Sequence, residues 1–186
     1  KLKKYQKSED VRVSVLNDEI EDNELISLSD KITKSIFGFS IKPKTHFMIH
    51  KSLNIPEKIL SGDNNLHVDR FLPNLKLIFF PRDVDQMSAP FTYALGSHRI
   101  NKTYKNFFLN SKENNFDENN QDSFIFLKNK RRIDVKRNSL VIAFTNGFHG
   151  RAPFDKATER QALFFTYPDY NILSLFNFFF INLRRN

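Results

Sequence analysis

The chain contains no cysteine. That removes disulfides, thiolate metal sites and cysteine nucleophiles together, so any metal must be held by histidine and carboxylate side chains. Tryptophan is missing too, and the aromatic content is carried by 21 Phe and 5 Tyr. Phe, Asn and Lys recur in strand-like and loop-like stretches alike, which reads as a compositional habit rather than a functional signature. Acidic residues are in deficit, 21 against 29 basic ones, for a net charge of +8. This excess suits an anionic small molecule. The basic residues fall in short clusters, Lys1 to Lys7, Lys128 to Arg137 and Arg184 to Arg185, without a long stripe of interleaved aromatics, so nucleic acid is not the expected partner. The apolar tail Ile172 to Leu183 falls short of the roughly 20 residues that span a bilayer. It reads as a core-packing segment or a subunit contact, with a membrane surface as the alternative because of the basic end that follows. The N-terminus is charged and lacks a signal-type apolar core, so a cytoplasmic location is expected; the chain does not begin with Met, which leaves a lost leader open. No internal repeat is visible.

What is present is globular in kind. Hydrophobic residues make up 40% and charged residues 27% of 186, enough to bury one core, so a single domain over 1–186 is expected. Residues 1–60 read as a helical region: Asn17-Asp18-Glu19 is a start signal, Ile20, Leu25, Leu28, Ile32 and Ile36 follow at mostly helical steps, and Gly38 is a stop. From Leu66 the pattern changes to short apolar runs between turn residues, at Leu75 to Phe80, Phe91 to Leu95, Ser123 to Leu127, Ser139 to Phe144 and Gln161 to Tyr167. Strands without intervening helices predict a mainly β fold, an antiparallel sandwich or jelly roll over about 64–168 with the N-terminal helices packed outside. Within it, the Asn-rich stretch 101–122 carries Phe107, Phe108 and Phe116 and reads as a lid loop or a disordered insertion, while 170–186 is a separate apolar segment.

Chemistry concentrates at three places. In Leu66-His67-Val68-Asp69, strand alternation puts an imidazole and a carboxylate on one face with Val68 on the other. A second histidine from a distant strand would complete a set of two His and one carboxylate with adjacent positions left open, the donor set of non-haem iron(II) oxygenases. His149, in Asn146-Gly147-Phe148-His149-Gly150-Arg151 after an apolar strand, is the candidate, since flanking glycines let backbone approach an ion closely. The competing reading is a surface His-Asp pair and a turn histidine. Arg160 opens the strand Arg160 to Tyr167 and shares a face with Ala162, Phe164 and Thr166. If that face is interior, the guanidinium needs an anionic partner, which a dicarboxylate can supply. Otherwise Arg160 is an exposed strand-end residue paired with Asp155 or Glu159.

Taken in order, His67-Val68-Asp69, Lys76 to Phe80 with Asp83 and Asp85, Ala89-Pro90-Phe91-Thr92-Tyr93-Ala94-Leu95-Gly96-Ser97-His98, and His149 with Arg160 eleven positions later resemble the phytanoyl-CoA dioxygenase family. The resemblance covers about Leu66 to Tyr167. It implies a double-stranded β-helix (jelly roll, cupin-like) whose Fe(II) is held by His67, Asp69 and His149. It further implies 2-oxoglutarate with its far carboxylate on Arg160, and O2-dependent hydroxylation of a small organic metabolite coupled to release of succinate and CO2. Halogenating relatives have a small residue where Asp69 stands, so hydroxylation or a related oxidation is the implied outcome. His98, in the family's turn motif, is carried over as a supporting residue. The family usually has Gly where this chain has Ala89-Pro90, which leaves that turn's geometry open. Arg151 competes with Arg160 for the co-substrate, and Thr145, Thr166 and Lys76 are further candidates by position. Two other readings remain: a cupin-like isomerase or hydrolase using the same three residues on another divalent ion, and a basic binding protein without catalysis.

Overall fold

A computed structural model of the chain describes residues 12–15, 23–52, 66–69, 74–99, 128–152 and 158–167. The expected strand Ser123 to Leu127, the loop 101–122 and the tail 170–186 lie outside the described residues.

The element order is β1 (Arg12–Val15), α1 (Asn23–Phe37), β2 (Lys44–Ser52), β3 (Leu75–Phe80), β4 (Phe91–Ala94), β5 (Lys130–Ile133), β6 (Ser139–Phe144), β7 (His149–Arg151) and β8 (Thr158–Thr166). The strands form two antiparallel sheets, one ordered β1-β2-β8-β3-β6 and the other β5-β4-β7. A β-sandwich is therefore present, as the strand pattern predicts.

β3 shows why the sheets sit as they do. Its apolar residues divide by parity: Ile78 and Phe80 pack toward the second sheet with Phe91, Tyr93, Ala143 and Ala162, while Leu75 and Leu77 pack on the other side with Phe37, Leu163 and Phe165. Both faces of the large sheet are buried at β3 and β8, which is why these strands appear in sequence as nearly continuous apolar runs, while the edge strand β6 leaves Ile142 exposed. The outer layer is helix α1, which adds Leu25, Ile32 and Ile36 to the Leu75/Leu77 cluster. Ser29 and Thr33 are also buried on that face, and their hydroxyls donate back to the carbonyls of Ile26 (2.8 Å) and Asp30 (3.0 Å), so small polar residues reach the sheet without an unpaired group. The helix ends at Gly38, whose φ of 83° is the left-handed stop and whose N–H donates to the Lys34 carbonyl at 2.9 Å.

The expectation of a helical region over 1–60 needs correction. Among the described residues it holds one α-helix, and Lys44–Ser52 is a strand paired along its whole length with β8, from Lys44 opposite Thr166 to Ser52 opposite Thr158. Phe47, Met48 and Ile49 run together between histidines and lysines, so the period-two signature of a half-buried strand is broken. No helix among the described residues is long and apolar enough to cross a membrane.

Truncation of the core should separate the two sides of the sheet from its surface. Leu77→Ala, at 0% exposure, is expected to cost about 2–5 kcal/mol of unfolding free energy in urea denaturation. Ile142→Ala, at 49% exposure, should cost clearly less; equal losses would mean the core is misassigned.

Candidate metal centre

The segment carrying His67 and Asp69 is held by backbone. The His67 N–H donates to the His149 carbonyl at 2.8 Å and the His149 N–H returns the bond to His67 at 2.9 Å, a closed antiparallel pair that extends the small sheet beyond β7. Residues directly opposite in such a pair project from the same face, so both imidazoles leave the sheet together. Two residues on, the Asp69 N–H donates to the Thr145 carbonyl at 3.0 Å, and the Thr145 N–H in turn donates to Asn74 at 2.6 Å. Leu66 and Val68 are buried while His67 and Asp69 are half-buried, which is the alternation expected from the sequence.

The side chains converge. One ligand atom from each of His67, Asp69 and His149 lies within 4.8 Å of the others. Asp69 Oδ1 stands 3.9 Å from His67 Nε2 and 3.5 Å from His149 Nε2, and the two imidazole rings are 4.6 Å apart. Ligands about 2.1 Å from a divalent ion stand about 3.0 Å apart when cis and about 4.2 Å apart when trans, so these separations bracket an ion at their centre. His149 Nδ1 is 2.9 Å from the Gly147 carbonyl. A ring N–H donated there leaves the Nε2 lone pair facing Asp69, the tautomer a ligand needs. Two imidazole nitrogens and one carboxylate oxygen therefore fit a first-row divalent metal.

Lys76, projecting inward from β3, places Nζ 2.6 Å from Asp69 Oδ2. Burial by itself would push the Asp69 carboxyl up; the contacts with His149 and the Lys76 ammonium outweigh it and hold Asp69 far below the usual carboxylate range. Asp69 is thus ionised at any pH near neutrality. On β2, across β8 from β3, His46 stacks on Phe164, rings 4.7 Å apart, and burial reinforced by Lys76 pulls its pKa below that of an ordinary histidine.

A brace from β4 and the turn after it fixes the loop that carries His149. Tyr93 donates its hydroxyl to the Phe144 carbonyl at 2.8 Å, the Phe148 N–H donates to Ser97 Oγ at 2.8 Å, and Asn146 Nδ2 donates to the His98 carbonyl at 3.0 Å. Gly147 has no room for a side chain: a Cβ there would run into the Tyr93 hydroxyl and stand 2.7 Å from Tyr93 Cζ. His98 supports this loop through its backbone while its ring stacks on Phe144 at 5.8 Å. Phe91 closes the other side of His149, ring centroids 5.7 Å apart.

Arg160 is 8% exposed and shares its face of β8 with Ala162 and Phe164, which pack between the sheets, so the interior alternative of the sequence reading holds. One guanidinium nitrogen donates to the Ala89 carbonyl at 2.8 Å. Ala89 adopts φ 50° and ψ 65°, the left-handed region that glycine enters most readily. Arg151 is also buried and stands opposite Phe91 in the β4/β7 register. Thr145 is fully buried, and its hydroxyl donates to the Asn74 carbonyl at 3.3 Å. Thr166 is half-buried opposite Lys76. Sequence reasoning named Lys76 only as a co-substrate candidate and missed the roles of Tyr93, Ser97 and Asn146. The inward parity of a lysine within Leu75-Lys-Leu-Ile-Phe-Phe was a usable signal for the first; no local pattern marks the others.

No protein-family model matches the chain, and no curated protein matches it in sequence. Solved structures do match in fold. AviO1 from Streptomyces viridochromogenes Tue57 is 14% identical with a TM-score of 0.53 over 85% of this chain. The epimerase SnoN, in complex with Fe3+, α-ketoglutarate and nogalamycin RO, is 11% identical with a TM-score of 0.62 over 91%. HygX from Streptomyces hygroscopicus, with nickel and 2-oxoglutarate bound, is 12% identical with a TM-score of 0.56 over 89%. This chain spans 66%, 68% and 73% of those three chains respectively. The fold of this chain is therefore one that carries a metal with 2-oxoglutarate in SnoN and HygX.

Two outcomes test the site as built. Gly147→Ala should cost about 1–3 kcal/mol in denaturant unfolding through the forced shift of Tyr93; unchanged stability would show that the brace is loose. In chelator-treated protein, a carboxyl whose folded pKa is depressed contributes stability above its ordinary pKa of about 3.9 and loses it as pH falls through that value toward the folded one. Wild type should therefore exceed Asp69→Asn in stability at pH 7, with the gap narrowing below about pH 4; the buried His46 and His98 titrate in both proteins and cancel.

Proposed function

We propose that this chain is a non-haem Fe(II), 2-oxoglutarate-dependent dioxygenase that hydroxylates a small organic metabolite. The observation that carries the reading is the convergence of ligand atoms from His67, Asp69 and His149 within 4.8 Å of one another, with both histidines fixed by a single backbone pair. Two His and one carboxylate leave open positions for a chelating co-substrate and oxygen, whereas a structural metal site is closed by four protein ligands.

Further support comes from the strand order. β2-β8-β3-β6 in one sheet and β5-β4-β7 in the other, with the His67 segment joined to β7, favours the double-stranded β-helix reading of this sandwich. The motif order from His67 to Arg160 also supports membership of the phytanoyl-CoA dioxygenase family, and the presence of Asp69 favours hydroxylation over halogenation. The inward-facing Arg160 and Arg151, with one carboxylate at the centre, favour an anionic co-substrate and tolerate an anionic substrate.

With Fe(II) and 2-oxoglutarate held there, O2 would be the oxidant, taking two electrons from the decarboxylation of 2-oxoglutarate to succinate and CO2 and two from hydroxylation of a substrate C–H bond. The chain's own residues set the conditions. His149 presents Nε2 when its Nδ1–H donates to the Gly147 carbonyl, and Asp69 stays ionised beside Lys76. Arg160 would grip the distal carboxylate of the co-substrate, bidentate in the manner of guanidinium–carboxylate pairs. Phe91, Ile78 and Phe164 wall the interior with apolar surface that keeps bulk water from the reacting carbon.

The decisive experiment is anaerobic loading with Fe(II) followed by 2-oxoglutarate and O2. Succinate should form only when all three are present. His67→Ala and His149→Ala should lose iron binding, and Arg160→Ala should weaken 2-oxoglutarate binding by about 10-fold or more, as removal of a charged hydrogen-bonding partner does. Retained binding of 2-oxoglutarate in Arg160→Ala would favour a metal-dependent isomerase or hydrolase on the same fold.

A further inference from the structure

β3 gives the site one residue that belongs neither to the metal ligands nor to the co-substrate grip. Leu75 and Leu77 are fully buried on the α1 side of the sheet, so the residue between them is forced to the inner face. That residue is Lys76, whose side chain is 18% exposed and whose nearest strand neighbours in register are Ala143 on β6 and Thr166 on β8. Neither neighbour crowds it, and the ammonium reaches Asp69 Oδ2 at 2.6 Å, the length of a charge-assisted hydrogen bond.

The contact divides the carboxylate. Oδ2 is taken by Lys76, the Asp69 N–H is held by Thr145, and Oδ1 stands 3.9 and 3.5 Å from the Nε2 atoms of His67 and His149. A carboxylate free to turn can ligate an ion through both oxygens, and a second oxygen would occupy a position that a chelating co-substrate needs. Partners that orient metal-ligating carboxylates are worth about 10–100-fold in affinity or activity.

Building on the iron and 2-oxoglutarate reading above, we propose that Lys76 is a positioning residue that restricts Asp69 to one-oxygen ligation and so keeps a coordination position open for the co-substrate. Lys76 does this through Asp69 and does not itself touch the reacting atoms. An ammonium at this point also offsets the charge of the ligand carboxylate, so the ion stays electron-poor enough to attract a dianion.

The test uses the full chain loaded with Co(II), which is stable in air and reports its coordination in the visible spectrum. Wild type, Lys76→Met and Lys76→Arg are compared for Co(II) binding, for the visible spectrum and for 2-oxoglutarate affinity by calorimetry. Lys76→Met keeps the side-chain length; should it not fold, Lys76→Gln is read in its place. The expected result is that Lys76→Met still binds Co(II), shows an altered spectrum and binds 2-oxoglutarate about 10-fold more weakly, while Lys76→Arg recovers most of both. A Lys76→Met spectrum and affinity matching wild type overturn the proposal, as does a Lys76→Arg protein as impaired as Lys76→Met. Wild type that binds no Co(II) sinks the iron reading itself, and this inference with it; binding by wild type with an unaffected variant sinks the Lys76 role alone.

Discussion

The candidate centre depends on one closed pair of backbone hydrogen bonds, between His67 and His149. It brings together two segments far apart in the chain and places both imidazoles on the same face of the small sheet. Asp69 follows automatically, because strand alternation returns to that face two residues later. The pair in turn relies on β7, only three residues long, which is secured by β4 on its far side and by the bonds that Tyr93, Ser97 and Asn146 make around the preceding loop. A short strand with few bonds of its own is made rigid by its neighbours, as a preorganised binding constellation requires.

Charge is arranged around that geometry with a single negative group at the centre. Asp69 has the two imidazoles near one oxygen and Lys76 on the other, and Arg151 on β7 and Arg160 on β8 are buried. Partial burial makes each of these charges expensive alone, and the carboxylate is kept ionised because its partners outweigh that cost. His46 behaves oppositely: it has burial and a nearby cation acting together, so it rests neutral against Phe164.

Much of this was legible in the sequence, and the remainder was hidden for physical reasons. β3, β4 and the apolar part of β8 stand out because large parts of both faces are buried, and β6 stands out by its apolar run alone. β2 does not, since polar and apolar residues along it do not alternate cleanly, and neither β5, Lys-Arg-Arg-Ile, nor β7, His-Gly-Arg, carries an apolar run. The residue types at His67, Asp69 and His149 suggested a donor set, but their convergence is a matter of long-range pairing that no local pattern encodes. Parity alone turned Lys76 inward; its partner could be known only once Asp69 was placed. The left-handed Ala89 had no signal at all, because alanine is not a residue that advertises that conformation.

Arg160 and Ala89 together have a consequence for molecular selection. An arginine side chain carries about 2 kcal/mol of rotamer freedom that a ligand must normally freeze. Here β8 buries the stem and the Ala89 carbonyl already holds one arm of the guanidinium, so its direction is set beforehand. On the co-substrate role proposed for Arg160, a guanidinium held in this way and the candidate metal cluster on β7 and the segment beside it would act as a ruler: a dicarboxylate of matching length would engage both, and one a methylene shorter or longer would reach only one.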